Sequence, residues 1–422
     1  MREVTPETIG DVDFDEDWDY GVNNGCLMHD VHAYPAKFPA FIASRAFSYA
    51  EKQGVRVNDV ADIFCGCGTV ALESAMHGKN FWGCDINPVA TLIAKAKSSR
   101  YDIERLVSEY KRICEQGVCD TSEVVPYGKA NPRIRYWFSE RAYTALARIK
   151  MSILKETDRG VYQDAFLCIF SSCLKACSRW LTKSIKPQVD PNKPEPDAFK
   201  VFNDHALKFI KAAEEIDEVN PGRTDIRIEE CNILTKAVSP RADLVISSPP
   251  YVTSYEYADL HQLSTLWLGY ASDFRELRAG SIGSTYFAKD FSFEKQDLNK
   301  IASSVLEQLQ KKNFPRSKEL SIARYYLDMQ QAVHKCMGLL KPGGMALFVI
   351  GDTEYRGVKI TNAAQLVESL QDEGFEDIRA GKRHISGKIL TPYRDKNGRF
   401  TSDKSQRQIY HTEYVISGRK AI

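Results

Sequence analysis

The 422-residue chain has no apolar run long enough to span a bilayer, and it does not open with a basic start followed by an apolar stretch. A cytoplasmic protein without a membrane partner is therefore expected. Net charge is also nearly absent: 57 Lys and Arg against 56 Asp and Glu leave +1, so the overall field does not announce a polyanion binder. In such a chain the 11 cysteines are expected to be free thiols, and no C-x-x-C pair or clustered histidine accompanies them. Cys168, Cys173 and Cys177 recur with apolar neighbours at helical spacing in AFLCIFSSCLKACSRW, so they read as a core helix, and no metal is expected. Internal repeats and low-complexity tracts are missing as well.

The balanced total hides two biased ends. The first twenty residues carry Glu3, Glu7, Asp11, Asp13, Asp15, Glu16, Asp17 and Asp19 against Arg2 alone, which predicts an acidic mobile arm over 1–25. From Arg379 onward, Lys382, Arg383, Lys388, Arg394, Lys396, Arg399, Lys404, Arg407, Arg419 and Lys420 outnumber the acids, which points to phosphate contacts. Between these ends the pattern predicts the first part of an α/β domain at 26–100, a mainly helical insertion at 101–225, and the second part of the domain at 226–422. A variable block at 253–322 interrupts that second part.

Two stretches carry chemistry. NDVADIF, CGCGT, VALESAMHGK and NFWGCD follow one another from Asn58 to Asp85 as strand, glycine turn, helix and strand. Gly66 and Gly68 let the backbone approach a ligand, but Thr69, Val70 and Ala71 follow where a pyrophosphate site would place a third glycine. Asp85, ending the second strand, is placed to accept from both hydroxyls of a ribose. A nucleoside cofactor without a diphosphate fits this pattern better than a dinucleotide. The second stretch is RADLVISSPPYV. Leu244 to Ile246 read as a buried parallel strand that Pro249 and Pro250 must end, since neither has an N–H for a neighbouring strand. Ligands of open α/β sheets sit at such exits.

Together these residues resemble the class I S-adenosylmethionine-dependent methyltransferases, specifically the DNA methyltransferases that modify exocyclic amino groups. The resemblance implies a Rossmann-like α/β fold, with a mostly parallel seven-stranded sheet, helices on both faces and a helical insertion. It assigns Asp62, Phe64, Gly66, Gly68 and Thr69 to the glycine motif, Asp85 to the ribose, and Ser248, Pro249, Pro250 and Tyr251 to the catalytic tetrapeptide. HAYPAKFPAFIASRAF, from His32, is similar to the segment these enzymes place over the methionine end of the cofactor, which implicates Tyr34, Lys37 and Phe38. Ile86 is a candidate for the adenine ring or for packing on its own helix. Asn232 is a candidate for the adenine edge or for a plain turn, and Tyr255 and His261 for pocket or core. LKPGG at 340–344 and EYVISGR near the end are similar to late elements of the same fold.

The implied cofactor is S-adenosyl-L-methionine and the implied partner is double-stranded DNA. An exocyclic amino nitrogen is a poor nucleophile because its lone pair is delocalised into the ring, so acceptors on its protons are needed. The Ser248 hydroxyl and the Pro249 carbonyl are suited to that role, and Tyr251 to stacking on a base that has left the duplex. Carbon-5 methylation would need the Pro-Cys pair of that family, and the chain has none. Ser at the first tetrapeptide position tilts the expectation to cytosine N4. Adenine N6 is the nearest alternative, with RNA guanine N2 and an inactive DNA-binding regulator further off. A role in a restriction-modification system, beside a cognate restriction endonuclease acting on the same site, follows from the resemblance alone. Target recognition is expected from the helical insertion, the 253–322 block or SGKILTPYRDKNGRF, where Tyr393 and Phe400 are interleaved with Lys388, Arg394, Lys396 and Arg399.

Overall fold

Apolar runs that do not alternate with polar residues become the middle of a parallel sheet, covered on both faces. The computed structural model describes residues 1–19, 26–119, 124–219, 222, 224–252, 256–284, 291–355, 357–385, 393–394, 401–405, 407–408 and 412–422. Its main strands are β1 (Arg2–Glu3), β2 (Asp59–Asp62), β3 (Asn80–Asp85), β4 (Ile226–Glu230), β5 (Ala242–Ser247), β6 (Leu340–Ile350), β7 (Glu376–His384) and β8 (Thr412–Arg419). They pair in the order β1-β7-β8-β6-β5-β2-β3-β4. The five strands from β6 to β4 are parallel, whereas β8 runs antiparallel to both β6 and β7.

The sheet thus has eight described strands rather than the expected seven. The additional one is β1, which pairs antiparallel with β7 and sets Glu3 opposite Arg379, an opposite-charge cross-strand pair. The acidic segment that supplies β1 is not a loose arm. Val4, Ile9, Val12 and Trp18 are buried. Asp13 and Asp15 exchange backbone hydrogen bonds with Lys382, whose Nζ donates to the Gly10 carbonyl at 2.6 Å. Asp19 accepts from the His384 ring at 2.7 Å, and Phe14 stacks on that ring at 3.8 Å. The expectation of mobility fails because the acids are not the segment's whole content: four apolar side chains reach the core, and the basic strand β7 is the counterpart of the acids.

Alternation along the central strands fills both faces. Ala61, Val245, Ala346, Phe348 and Ile350 point to one core, under the helices Lys300–Lys311, Arg316–Leu339 and Asn362–Asp372. Val60, Leu244, Ile246, Leu347 and Val349 point to the other, under Ala40–Lys52, Thr69–Met76 and Pro88–Ser98. The stretch 101–225 holds the helices Ile103–Cys119, Glu140–Glu156, Val161–Cys177 and Ala198–Val219, which share their own core around Leu106, Leu146, Phe166, Phe170 and Phe209. Each such side chain contributes about 1.5–3 kcal/mol by leaving water. Val89, Leu92, Ile93 and Ala96 of Pro88–Ser98 join that core and anchor the insertion to the sheet. Cys168, Cys173 and Cys177 are buried on its central helix. Among the described residues no helix is long and apolar enough to cross a membrane.

Candidate active site

Strand order reverses between β2 and β5: from β2 the chain moves outward through β3 to β4, then returns to β5 and continues the other way to β6. The crevice at the carboxyl ends of two such strands is where an open α/β sheet binds ligands. The glycine turn leaves β2, Asp85 ends β3, Asn232 follows β4, and Ser248 to Tyr251 leave β5. Glu413 lies at the same end, because β8 is antiparallel and Tyr414 pairs with Ile350 at the end of β6.

The turn is built by two glycines with different tasks. Gly66 has φ of 49° and is partly exposed, and a Cβ there would meet only the Tyr34 ring, at 3.6 Å. Gly68 has φ of 75° and is closed off by the next helix, where a Cβ would lie 2.6 Å from Ala94 Cβ. The absence of a side chain at Gly68 is therefore required by helix packing. Thr69 is buried beneath it. Asp62 accepts from the Phe64 N–H at 3.0 Å and from the Ser247 hydroxyl at 2.5 Å, and burial pushes its carboxyl up to about 7. Asp85 takes the Gly66 N–H on one oxygen at 3.0 Å and the Asn87 N–H on the other at 2.8 Å. Burial raises its pKa against the pull of these backbone donors. The Ile86 N–H also bears on this carboxylate, so Asp85 is held by three backbone donors.

Across the crevice, the Ser248 hydroxyl donates to the Val349 carbonyl at 3.0 Å. The Tyr251 hydroxyl donates to Glu413 Oε1 at 2.9 Å, and both burial and that carboxylate hold its pKa well above the usual phenol value. The ring lies against Gly351, where a Cβ would come within 3.1 Å of it. Pro249 is buried and Pro250 half-buried in the corner between them. Ser247, Gly351 and Glu413 were missed by sequence reasoning, since only strand register brings them here.

Tyr34 is placed at the crevice, over Gly66, and its ring stacks on His261 with centroids 4.9 Å apart. His261 is buried and its pKa is pushed down to about 3, so the ring is neutral, and its Nε2 has no hydrogen-bond partner among the described residues. Ile86 and Asn232 come together beneath Gly280, whose Cβ position is 3.1 Å from the Ile86 side chain and 3.4 Å from Asn232 Nδ2. Part of the 253–322 block thus closes over this end of the crevice. Asn232 also accepts from the Leu234 N–H at 2.9 Å, a turn contact. Lys37 and Phe38 are drawn elsewhere: Lys37 donates to Asp30 at 2.8 Å and to the His29 carbonyl at 3.0 Å, and Phe38 packs on the core under Ala40–Lys52. Phe64 packs on the opposite core and is partly exposed. Tyr255 and most of the segment from Ser386 to Phe400 lie outside the described residues. Among the described residues no group of three or more His, Cys, Asp or Glu is placed to hold a metal ion.

Comparison with known proteins finds sequence relatives along most of the chain. The type II methyltransferase M.MvaI of Kocuria varians is 22% identical over 401 residues, covering 86% of this chain and 85% of its own. Its relatives are type II methyltransferases. M.BsoBI of Geobacillus stearothermophilus is 22% identical over 426 residues, covering 85% of this chain and 81% of its own, and M.AvaI of Nostoc sp. is 23% identical over 379 residues, covering 78% and 75%. No family model matches the chain. Among solved structures, a SAM-dependent methyltransferase from Methanosarcina mazei is 10% identical with a TM-score of 0.31, covering 93% of this chain and 99% of its own, a likeness too loose to build on.

Proposed function

We propose that the chain is an S-adenosylmethionine-dependent DNA methyltransferase that modifies the exocyclic N4 amino group of cytosine in duplex DNA. One observation carries the choice of an amino group: the Ser248 hydroxyl spends its proton on the Val349 carbonyl, so its oxygen is left as an acceptor. An amino nitrogen whose lone pair is delocalised needs such an acceptor on its protons.

The residues present fit the cofactor. Asp85 presents a carboxylate fixed by backbone donors as an acceptor for the ribose hydroxyls, Gly66 offers backbone without a side chain, and Ile86 and Asn232 supply an apolar and a polar edge for the adenine. Tyr34 lies over Gly66 at the methionine end. When bound, the cofactor supplies a methyl group activated by a sulfonium. Ser248 Oγ and the Pro249 carbonyl accept hydrogen bonds from the amino protons of the target base, which localises the nitrogen lone pair, and the proton that the methylated nitrogen sheds leaves to solvent. Tyr251 stacks on that base after it has left the duplex. No cysteine stands in the tetrapeptide, so the transfer is direct, without a covalent link between base and protein. The biological setting is a restriction-modification system, in which a cognate endonuclease reads the same site without contacting this chain. Target recognition falls to the helical insertion or the 253–322 block.

Radiolabelled methyl from S-adenosylmethionine should enter mixed-sequence duplex DNA with the wild type. Label that enters only RNA would overturn the substrate assignment.

A further inference from the structure

We propose that Glu413 and Arg383 are positioning residues that hold the Tyr251 ring, and that the acidic N-terminal segment completes this support through Trp18. The inference rests on the reading of Tyr251 as the stacking group and extends it to residues that touch no substrate.

The support is a continuous chain of hydrogen bonds. Tyr251 donates to Glu413 Oε1 at 2.9 Å, and Arg383 Nη1 donates to Glu413 Oε2 at 2.5 Å. Arg383 Nε then donates to the Trp18 carbonyl at 3.0 Å. Glu413 and Arg383 face each other directly across β8 and β7, so the sheet itself fixes their separation. The Arg383 side chain is 1% exposed and its guanidinium lies 5.5 Å from the centre of the Phe41 ring, while Trp18 is buried. A buried guanidinium is costly unless an anion meets it, and here one carboxylate meets both the guanidinium and the phenol.

The consequence is orientational. Gly351 leaves room for the Tyr251 ring on one side, and the tether at the hydroxyl stops it from turning about its own bonds. A stacking ring held in this way does not have to be ordered when the base arrives. The N-terminal segment is then part of the wall behind the base pocket, which gives its docking on β7 a purpose beyond stability.

Tyr251→Phe keeps the ring and removes the tether together with the hydroxyl's contact with Ser248, and the pairing with Glu413→Gln below isolates the tether. Single-turnover methyl transfer should fall about tenfold, the scale of one hydrogen bond to a charged group, with S-adenosylmethionine affinity and Tm close to wild type. A merely structural role would lower Tm and cofactor affinity along with the rate. Glu413→Gln in the Tyr251→Phe background should cost little more in rate than Tyr251→Phe alone, and full additivity of the two losses would overturn the proposal. A readout without turnover separates this idea from the assigned function. With 3-fluorotyrosine at position 251, the ¹⁹F resonance should titrate well above the free amino acid in wild type and move with Glu413→Gln. Should that variant not fold, because Arg383 has lost its anion, the wild-type titration still decides, and ionisation at the value of free fluorotyrosine would overturn the contact. Absence of methyl transfer to any nucleic acid together with the expected ¹⁹F behaviour would sink the proposed function and the positioning role with it, while leaving the hydrogen bond in place.

Discussion

The Ser247 hydroxyl donates to Asp62 at 2.5 Å, joining residues 185 apart in sequence across the point where strand order reverses. This bond locks the exit carrying the tetrapeptide onto the exit carrying the glycine turn. Asp62 is almost fully buried, and its carboxyl titrates near 7 rather than near 3.8. The folded state therefore holds a proton that the unfolded chain has already released between those values. Stability should fall as pH rises from about 4 to about 7 and change no further above that window. Asp62→Asn cannot ionise, so it should gain on wild type across the window, by up to about 4 kcal/mol, in denaturant unfolding at successive pH values. A pH-independent difference between the two proteins would contradict the assignment.

Ser248→Ala removes the acceptor and leaves the glycine turn untouched. Methyl transfer should fall about 10²-fold, comparable to losing one preorganised polar group from a transition state, while isothermal titration with S-adenosylmethionine gives an affinity within twofold of wild type. An unchanged rate would remove Ser248 from the chemistry.

Asp85→Ala should act on the opposite quantity. Two acceptor oxygens are lost, and the Gly66 and Asn87 N–H groups lose their partner, so cofactor affinity should drop at least about 10²-fold. Unaltered affinity would mean that the nucleoside lies elsewhere.

The two glycines of the turn should separate binding from stability. Gly68→Ala would place a methyl 2.6 Å from Ala94 at positive φ, and a stability loss of about 2–4 kcal/mol is expected in thermal unfolding. Gly66→Ala meets only the Tyr34 ring at 3.6 Å, so it should cost about 1 kcal/mol and weaken S-adenosylmethionine binding instead. Equal Tm losses in both variants would show that the two positions are not distinct.

What the sequence made legible was local. The strand, turn, helix and acid from Asn58 to Asp85 fall within one βαβ unit, and two prolines after an apolar run announce the exit of β5 without any knowledge of neighbours. The contacts that were missed depend on register between distant strands: Ser247 with Asp62, Tyr251 with Glu413, and Gly351 against the Tyr251 ring. The pairing of Lys37 with Asp30, on the short helical turn just before it, was not legible from the YPAKFP pattern. The segment 1–25 read as a mobile arm because eight acids outweigh Val4, Ile9, Val12 and Trp18 in composition, although these four decide the packing of the described residues 1–19. Lys382 and Arg383, read as phosphate contacts, are instead joined to that segment.

Nucleoside mass spectrometry of mixed-sequence duplex DNA, after incubation with the protein and S-adenosylmethionine, tests the central claim most directly. N4-methylcytosine is the expected product, formed about 10²-fold more slowly when Ser248→Ala replaces the wild type. N6-methyladenine would contradict the choice of base while leaving the amino-directed chemistry standing, and DNA without any methylated base would contradict the account as a whole.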